Sequence, residues 1–259
     1  MKKLFLPLLL IALVLRLDAQ QPLRAHSHND YANVIPFWIA YYNHFSSIEA
    51  DIWIVNGELY VGHDQKDIKP ERTLDALYLR PVVNLVKYNG GKPWHDFPSG
   101  LQLLIDLKTE AVPTLDLLTK KLREYPDVFD PSVNPDAVRI VISGNRPSTS
   151  AYPDYPSLIF FDGIIGQEYT AEQLSRIPLF SENLRSLIKW DGKSAISEYE
   201  REKLVSVIDS IHEMNKKVRF WNAPDNPEAW ETLLNAGVDY VNTDHINQLA
   251  DFLVKRNLH

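Results

Sequence analysis

The chain has 259 residues, 45% hydrophobic and 24% charged, the balance of a globular protein with room for one large core. A net charge of −7 with no basic run excludes a surface built for nucleic acid, and it implies no protein partner. The absence of cysteine excludes disulfides, thiolate metal sites and a lipid-modified cysteine anchor.

Lys2 and Lys3 precede an apolar stretch from Leu4 to Leu15, followed by Arg16 and Asp18-Ala19-Gln20. The stretch is too short for a comfortable membrane span. It predicts a signal peptide over residues 1–19, cleaved after Ala19, and an exported chain, periplasmic or secreted. Residues 20–259 are then expected to form a single domain. Leu23 to His26 reads as a first strand and Pro36 to Phe45 as an apolar helix. Ser47 to Ile54 is a second strand, turned at Asn56-Gly57 into a return over Glu58 to Val61. Thr73 to Tyr88 fits a helix broken or kinked at Pro81. Leu101 to Lys108 is the clearest buried strand, and Pro113 to Tyr125 a helix. Strands are expected at Val138–Ile142, Ile159–Ile165, Leu184–Ile188 and Val218–Trp221. Ser197 caps the longest helix, and Asn226 caps another that stops before Gly237. Val238 to Val241 is the last strand, and a closing helix runs to about Lys255.

Strands and helices alternate about eight times over roughly 235 residues, the size of a TIM-like (β/α)8 barrel. The rival, a doubly wound open sheet, lacks the Gly-rich loop that should follow its first strand. Polar residues gather where predicted strands end: His26, Glu49 and Asp51, Asp106 and Lys108, Asn145, Asn222 and Asp244. In a barrel these ends share the C-terminal rim, where active sites form.

Glu49 and Asp51 are two apart on one strand, so they share a face. Two such carboxylates repel unless a cation lies between them. With Asp106 as a third acid they suit a divalent cation that prefers oxygen, Mg2+ or Ca2+. Two histidines near such a cation, His26 and His63, supply acid and base for cleaving a phosphate ester. The order of the two roles stays open. Asn29 is read as contacting substrate or capping a turn. Asp30 is read as a turn residue, and Asp64 as an even choice for orienting His63. Trp221 is a candidate to line an apolar part of the substrate pocket.

The ordered set His26-Ser27-His28-Asn29-Asp30-Tyr31, Ile48-Glu49-Ala50-Asp51-Ile52-Trp53, Gly62-His63-Asp64 and Asp106-x-Lys108 resembles the phospholipase C-like phosphodiesterase superfamily. That group includes glycerophosphodiester phosphodiesterases and phosphatidylinositol-specific phospholipase C. Within it the chain most resembles the Altered inheritance of mitochondria protein 6 branch, and Val238 to Asp244 resembles the last barrel strand of the glycerophosphodiesterases. The resemblance implies a metal-dependent phosphoric diester hydrolase. His26 and His63 match its catalytic histidines, Glu49, Asp51 and Asp106 its metal ligands, and Lys108 a lysine beside the phosphate. The implied substrate is a small-molecule or lipid phosphodiester, of glycerophosphodiester or phospholipid type, with contact to a membrane surface left open. Ser27 departs from the arginine usual there and cannot grip phosphate in two places.

Two alternatives remain at this stage. His26-Ser27-His28 is also the entry motif of metal-dependent amidohydrolase-like barrels, with Asp244 where their last ligand would fall. No histidine ends a middle strand, which lowers that reading, and His28 is assigned to substrate contact. The other alternative is a non-catalytic barrel that binds a phosphorylated ligand.

Overall fold

The computed structural model describes residues 21–97 and 100–257, so the predicted signal peptide lies outside the described residues. The strands are β1 (Leu23–Ser27), β2 (Phe45–Val55), β3 (Glu58–Val61), β4 (Gln102–Leu107), β5 (Arg139–Gly144), β6 (Ile159–Ile164), β7 (Leu179–Asn183), β8 (Lys217–Trp221) and β9 (Val241–Thr243). The helices are α1 (Trp38–Tyr42), α2 (Arg80–Tyr88), α3 (Ala111–Leu122), α4 (Pro126–Phe129), α5 (Ala171–Ser175), α6 (Leu184–Leu187), α7 (Glu198–Glu213), α8 (Pro227–Ala236) and α9 (Ile246–Asn257). All strands but β3 pair in parallel, in the order β8-β7-β6-β5-β4-β2-β1-β9. A parallel bridge between Arg219 and Tyr240 joins β8 to the β9 side, so the sheet is a nearly closed TIM barrel. β3 folds back antiparallel on β2 through Asn56 and Gly57, both at positive φ, as the Asn-Gly pair predicts.

The core has two parts. The larger packs between strands and helices, and its α7 face is carried by Leu204, Ile208 and Ile211. A small second cluster, Leu104, Val141, Leu179 and Tyr240, plugs the barrel interior. Above that plug the alternate, inward positions of the strands turn polar, and this layer is the site. Ser197 Oγ accepts from Glu200 N at 3.3 Å and Asn226 Oδ1 from Ala229 N at 3.0 Å, so both predicted caps form.

Several local expectations shift: the first helix shortens to Trp38–Tyr42 with Phe45 opening β2, the last strand moves to Val241–Thr243, and three further changes have a clear physical reason. A π-helical turn over Asp75–Leu79 leads into α2, with Pro81 in the first turn of α2. Proline has no N–H for the preceding turn, so the helix widens there rather than breaking. The seventh strand is Leu179–Asn183, whereas Leu184–Leu187 is helical. The apolar spacing Leu184, Leu187, Ile188 is that of a helix face, and Asn183 caps it by accepting from Arg185 N at 3.0 Å. Asp30 is no exposed turn residue. It is fully buried and accepts from Ser27 Oγ at 2.8 Å, Phe37 N at 2.5 Å and Tyr78 Oη at 2.9 Å. It thereby ties the loop after β1 to the helical layer.

Candidate active site

The parallel register sets Asp51 opposite Asp106, and Asp106 opposite Ser143. Their side chains meet at the C-terminal rim. Lys108 Nζ lies 2.9 Å from both Asp51 Oδ2 and Asp106 Oδ1, and Ser143 Oγ donates to Asp106 Oδ2 at 2.9 Å. Asp51 Oδ2 also accepts from Tyr31 Oη at 2.8 Å and lies 3.1 Å from His63 Nδ1. Its other oxygen, Oδ1, is buried and has no partner. Burial first, then the charge of Glu49, pushes the Asp51 carboxyl up to about 6, against the pull of Lys108. A carboxylate with a spare oxygen suits a hard divalent cation in chemistry, although among the described residues no three such side chains converge as a metal site, Lys108 lying between Asp51 and Asp106 and Arg219 on Glu49.

Glu49 holds a different set of contacts. Its Oε2 accepts from Arg219 Nη1 at 2.7 Å and lies 2.7 Å from His26 Nε2. Burial alone would raise this carboxyl, but the Arg219 guanidinium overrides it and holds Glu49 well below the usual range. Gln102 Nε2 donates to Ser47 Oγ at 2.9 Å, which frees the serine proton for His26 Nδ1 at 2.7 Å. His26 Nε2–H is then directed at Glu49, and Arg219 Nη1, packed against the same nitrogen, also donates to Glu49. Burial, then Arg219, lowers His26 to about 3, so its ring stays neutral.

The two expected catalytic histidines therefore differ sharply. The His63 side chain is 64% exposed and is held by Asp51, not by its neighbour Asp64, which pairs with Lys66 at 3.0 Å. His26 is fully buried, with both ring nitrogens engaged inside the barrel. Two residues on, His28 emerges at the mouth, its side chain 30% exposed, with Nδ1 2.8 Å from Asp244 Oδ1. Burial would lower His28, but the bond to Asp244 and the nearby Glu49 outweigh it and the pKa is raised. Asn29 links the two sides. Its Oδ1 lies 2.7 Å from Tyr31 Oη, whose single proton goes to Asp51, and its Nδ2 donates to Asp244 Oδ1 at 3.2 Å. Ser27 is buried against Asp30 and turned from the cleft, so it makes no substrate contact.

Two adjoining recesses share His28. One, of about 430 Å3, also includes Asn29, Tyr31, His63 and Asp244. The other, of about 350 Å3, includes Glu49, Asp106, Lys108 and Trp221, with Arg146, Asp162 and Arg219 on its far side. A larger recess of about 560 Å3, beside α3, touches none of these residues.

The family model for the AIM6-like phosphodiesterase domain matches residues 17–162, more than half of the chain. The chain belongs to the AIM6-like phosphodiesterase domain family. A second model, of the Glycerophosphoryl diester phosphodiesterase family, matches residues 217–246, which contain β8 and β9. The chain is 29% identical to Altered inheritance of mitochondria protein 6 homolog of Arthroderma benhamiae, over 87% of its own length and 82% of that protein. It is 28% identical to Altered inheritance of mitochondria protein 6 of Eremothecium gossypii, over 88% and 69%. Among solved structures it is similar to a protein assigned as a glycerophosphoryl diester phosphodiesterase from Silicibacter pomeroyi, with a TM-score of 0.53, 12% identity, and 86% and 88% of the two chains covered. Another so assigned, from Agrobacterium tumefaciens, gives a TM-score of 0.52 at 10% identity, over 91% and 98%. At such identities the likeness is one of fold, the TIM barrel.

In this AIM6-like domain the structure brings together Glu49, Asp51, Asp106, Lys108, His63, His28, Asn29 and Trp221, with His26 buried beneath them and bonded to Glu49. Sequence reasoning missed Tyr31, Arg146, Asp162 and Arg219. Two of them left a signal. Lys217, Arg219 and Trp221 alternate with apolar Val218 and Phe220, which assigns Arg219 to a face opposite the helical core. Asp162 is an acid inside the apolar run Ile159-Phe160-Phe161, costly unless it serves a site.

Proposed function

We propose that this chain is a divalent-metal-dependent phosphoric diester hydrolase acting on a glycerophosphodiester or phospholipid-type substrate, with His28 and His63 as its proton-transfer pair. The observation that carries the reading is Asp51, a buried carboxyl that joins Lys108, Tyr31 and His63 and keeps one oxygen unpartnered. Glu49, Asp51 and Asp106 would hold Mg2+ or Ca2+, which when bound screens the charge of the diester and polarises a phosphoryl oxygen. Lys108 neutralises a second phosphoryl oxygen, a role Ser27 cannot fill. His63, oriented by Asp51 and Tyr31, takes the proton of the attacking water or hydroxyl. His28, whose protonated form Asp244 favours, delivers one to the departing alkoxide. Tyr31 and Asn29 fix the spacing between the two rings.

His26 takes no proton in this scheme. It holds Glu49 and Arg219 in place. The amidohydrolase reading weakens because both ring nitrogens of His26 are engaged, with Ser47 and Glu49, and leave none free to ligate a metal beside His28. The binding-only barrel differs from the hydrolase in turnover alone. The test is hydrolysis of bis-p-nitrophenyl phosphate by the chain in EDTA, then with added magnesium or calcium, beside calorimetric titration of either ion. The reading expects turnover restored by the ion, and ion binding lost in Asp51→Asn. Ion binding without turnover of this or a natural diester would leave the binding-only barrel. Turnover at full rate in EDTA would overturn the metal's role.

A further inference from the structure

The far half of the cleft, on β5 to β8, touches the chemistry above only through the Arg219–Glu49 pair, yet it carries three charged side chains, Arg146, Asp162 and Arg219. Arg146, just past β5, donates through Nη1 to the backbone carbonyl of Asp162 and has no carboxylate within ion-pair distance among the described residues. Arg219 spends Nε on Ser181 Oγ at 3.1 Å and Nη1 on Glu49, and its Nη2 has no partner among the described residues. Between them Asp162 is almost wholly buried, and its Oδ1 has no hydrogen-bond partner. Trp221 closes the same recess and is the only phenyl or indole ring among its lining residues.

A buried acceptor without a donor costs free energy unless a ligand supplies one. An unpaired guanidinium calls for an acceptor. A vicinal hydroxyl pair satisfies both at once, donating to Asp162 and accepting from arginine. A trimethylammonium group does neither, having no proton to donate to Asp162 and no lone pair to accept from Arg146. A single indole is also far from the aromatic cage that quaternary ammonium recognition uses.

We propose that Arg146, Asp162 and Arg219 form a head-group subsite for an uncharged polyol, so that the preferred diester carries a hydroxylated alcohol rather than a quaternary ammonium. The subsite rests on the phosphodiesterase reading, which aligns the phosphate with Lys108 and the carboxylates and leaves the alcohol on the β5–β8 side.

The test is calorimetric binding of glycerophosphoinositol and glycerophosphocholine to the full His63→Ala chain with magnesium, beside hydrolysis of both diesters by wild type. The inositol diester is expected to bind about ten-fold more tightly, the scale of one satisfied buried polar group. Adding Arg146→Met or Asp162→Asn should bring the ratio near unity, with thermal melting used to confirm a folded chain. Equal affinities, a choline preference, no binding of either diester in the millimolar range, or a ratio unmoved by both substitutions would overturn the subsite. An inositol preference in binding, with neither diester hydrolysed by wild type, would uphold the subsite and overturn the hydrolase reading. Hydrolysis of both with equal affinity would do the reverse.

Discussion

Replacing His26 and His28 separately by alanine distinguishes an interior histidine from a rim histidine. His26→Ala removes a buried ring and strips partners from Ser47 and Glu49 inside the barrel. Each stranded buried group costs about 1–3 kcal/mol, and the vacated volume adds to it, so a loss of about 3–5 kcal/mol is expected. For a chain of this size each kcal/mol is about 2–4 °C, so Tm should fall by roughly 6–20 °C. His28→Ala breaks a partly exposed pair with Asp244, worth about 0–1 kcal/mol, and Tm should move by no more than about 4 °C. Its turnover should fall about 10²–10⁴-fold, the usual share of one general acid. Calorimetric melting and bis-p-nitrophenyl phosphate hydrolysis on both variants give the four numbers needed. The reasoning is refuted if His26→Ala melts with wild type but is inactive while His28→Ala keeps full turnover.

Other consequences are equally direct. Gly144 has φ +69°, and a Cβ there would lie 2.6 Å from both Asp106 Oδ1 and the Leu107 carbonyl. Gly144→Ala should cost about 2–4 kcal/mol and weaken magnesium or calcium binding by displacing Asp106, and an unchanged Tm with unchanged affinity would contradict this. Burial pushes Asp30 up to about 6, above its unfolded value, against its three donors. Its contribution is therefore full below about pH 4 and is lost as pH rises through 6, an effect of at most about 3 kcal/mol. Thermal melts from pH 4 to 7 should show a shallower decline in Asp30→Asn than in wild type, and identical slopes would reject the assignment. Export with cleavage after Ala19 predicts Gln20 as the first residue of the mature chain, read by N-terminal sequencing, and a retained Met1 would reject it.

The barrel was legible because its strands end in polar residues at regular intervals. A parallel strand buried on both faces has little other reason to carry Glu49, Asp51 or Asp106. Period-two reasoning also places Asp51 and Asp106 on inward faces, though only the register shows that they stand opposite each other. What stayed hidden was depth. His26 and His28 have the same parity and both point inward, but they lie at different heights along the barrel axis. His26 aligns with Ser47, below Glu49, whereas His28 lies past the end of β1. Height depends on strand stagger, which no single strand encodes. Arg219 was hidden for a related reason. Its meaning comes from Glu49 and His26, 170 and 193 residues away, and a lone arginine in a short strand carries no sign of such a partner.

The charges at the barrel mouth tie these parts together. Glu49, Asp51, Asp106 and Asp162 oppose Lys108, Arg146 and Arg219, with the more exposed His28–Asp244 pair counted apart. Four carboxylates against three fixed cations leave one uncompensated negative charge, which is costly in a partly desolvated cleft. A divalent ion converts that deficit into a single positive charge. A phosphodiester carries a single negative charge and brings the sum to zero. A phosphomonoester dianion overshoots it, and a diester with a quaternary ammonium head group leaves the positive charge standing. The same count that calls for a divalent cation at Asp51 thus favours a monoanionic diester with an uncharged alcohol. Lys108→Met should sharpen the contrast. With one fixed cation fewer, the ion-loaded cleft is neutral before substrate arrives, so affinity for the polyol diester should fall more than affinity for the zwitterionic choline diester. A calorimetric comparison in which both fall equally would show that Lys108 acts on the phosphate alone, and that the mouth does not select its substrate by total charge.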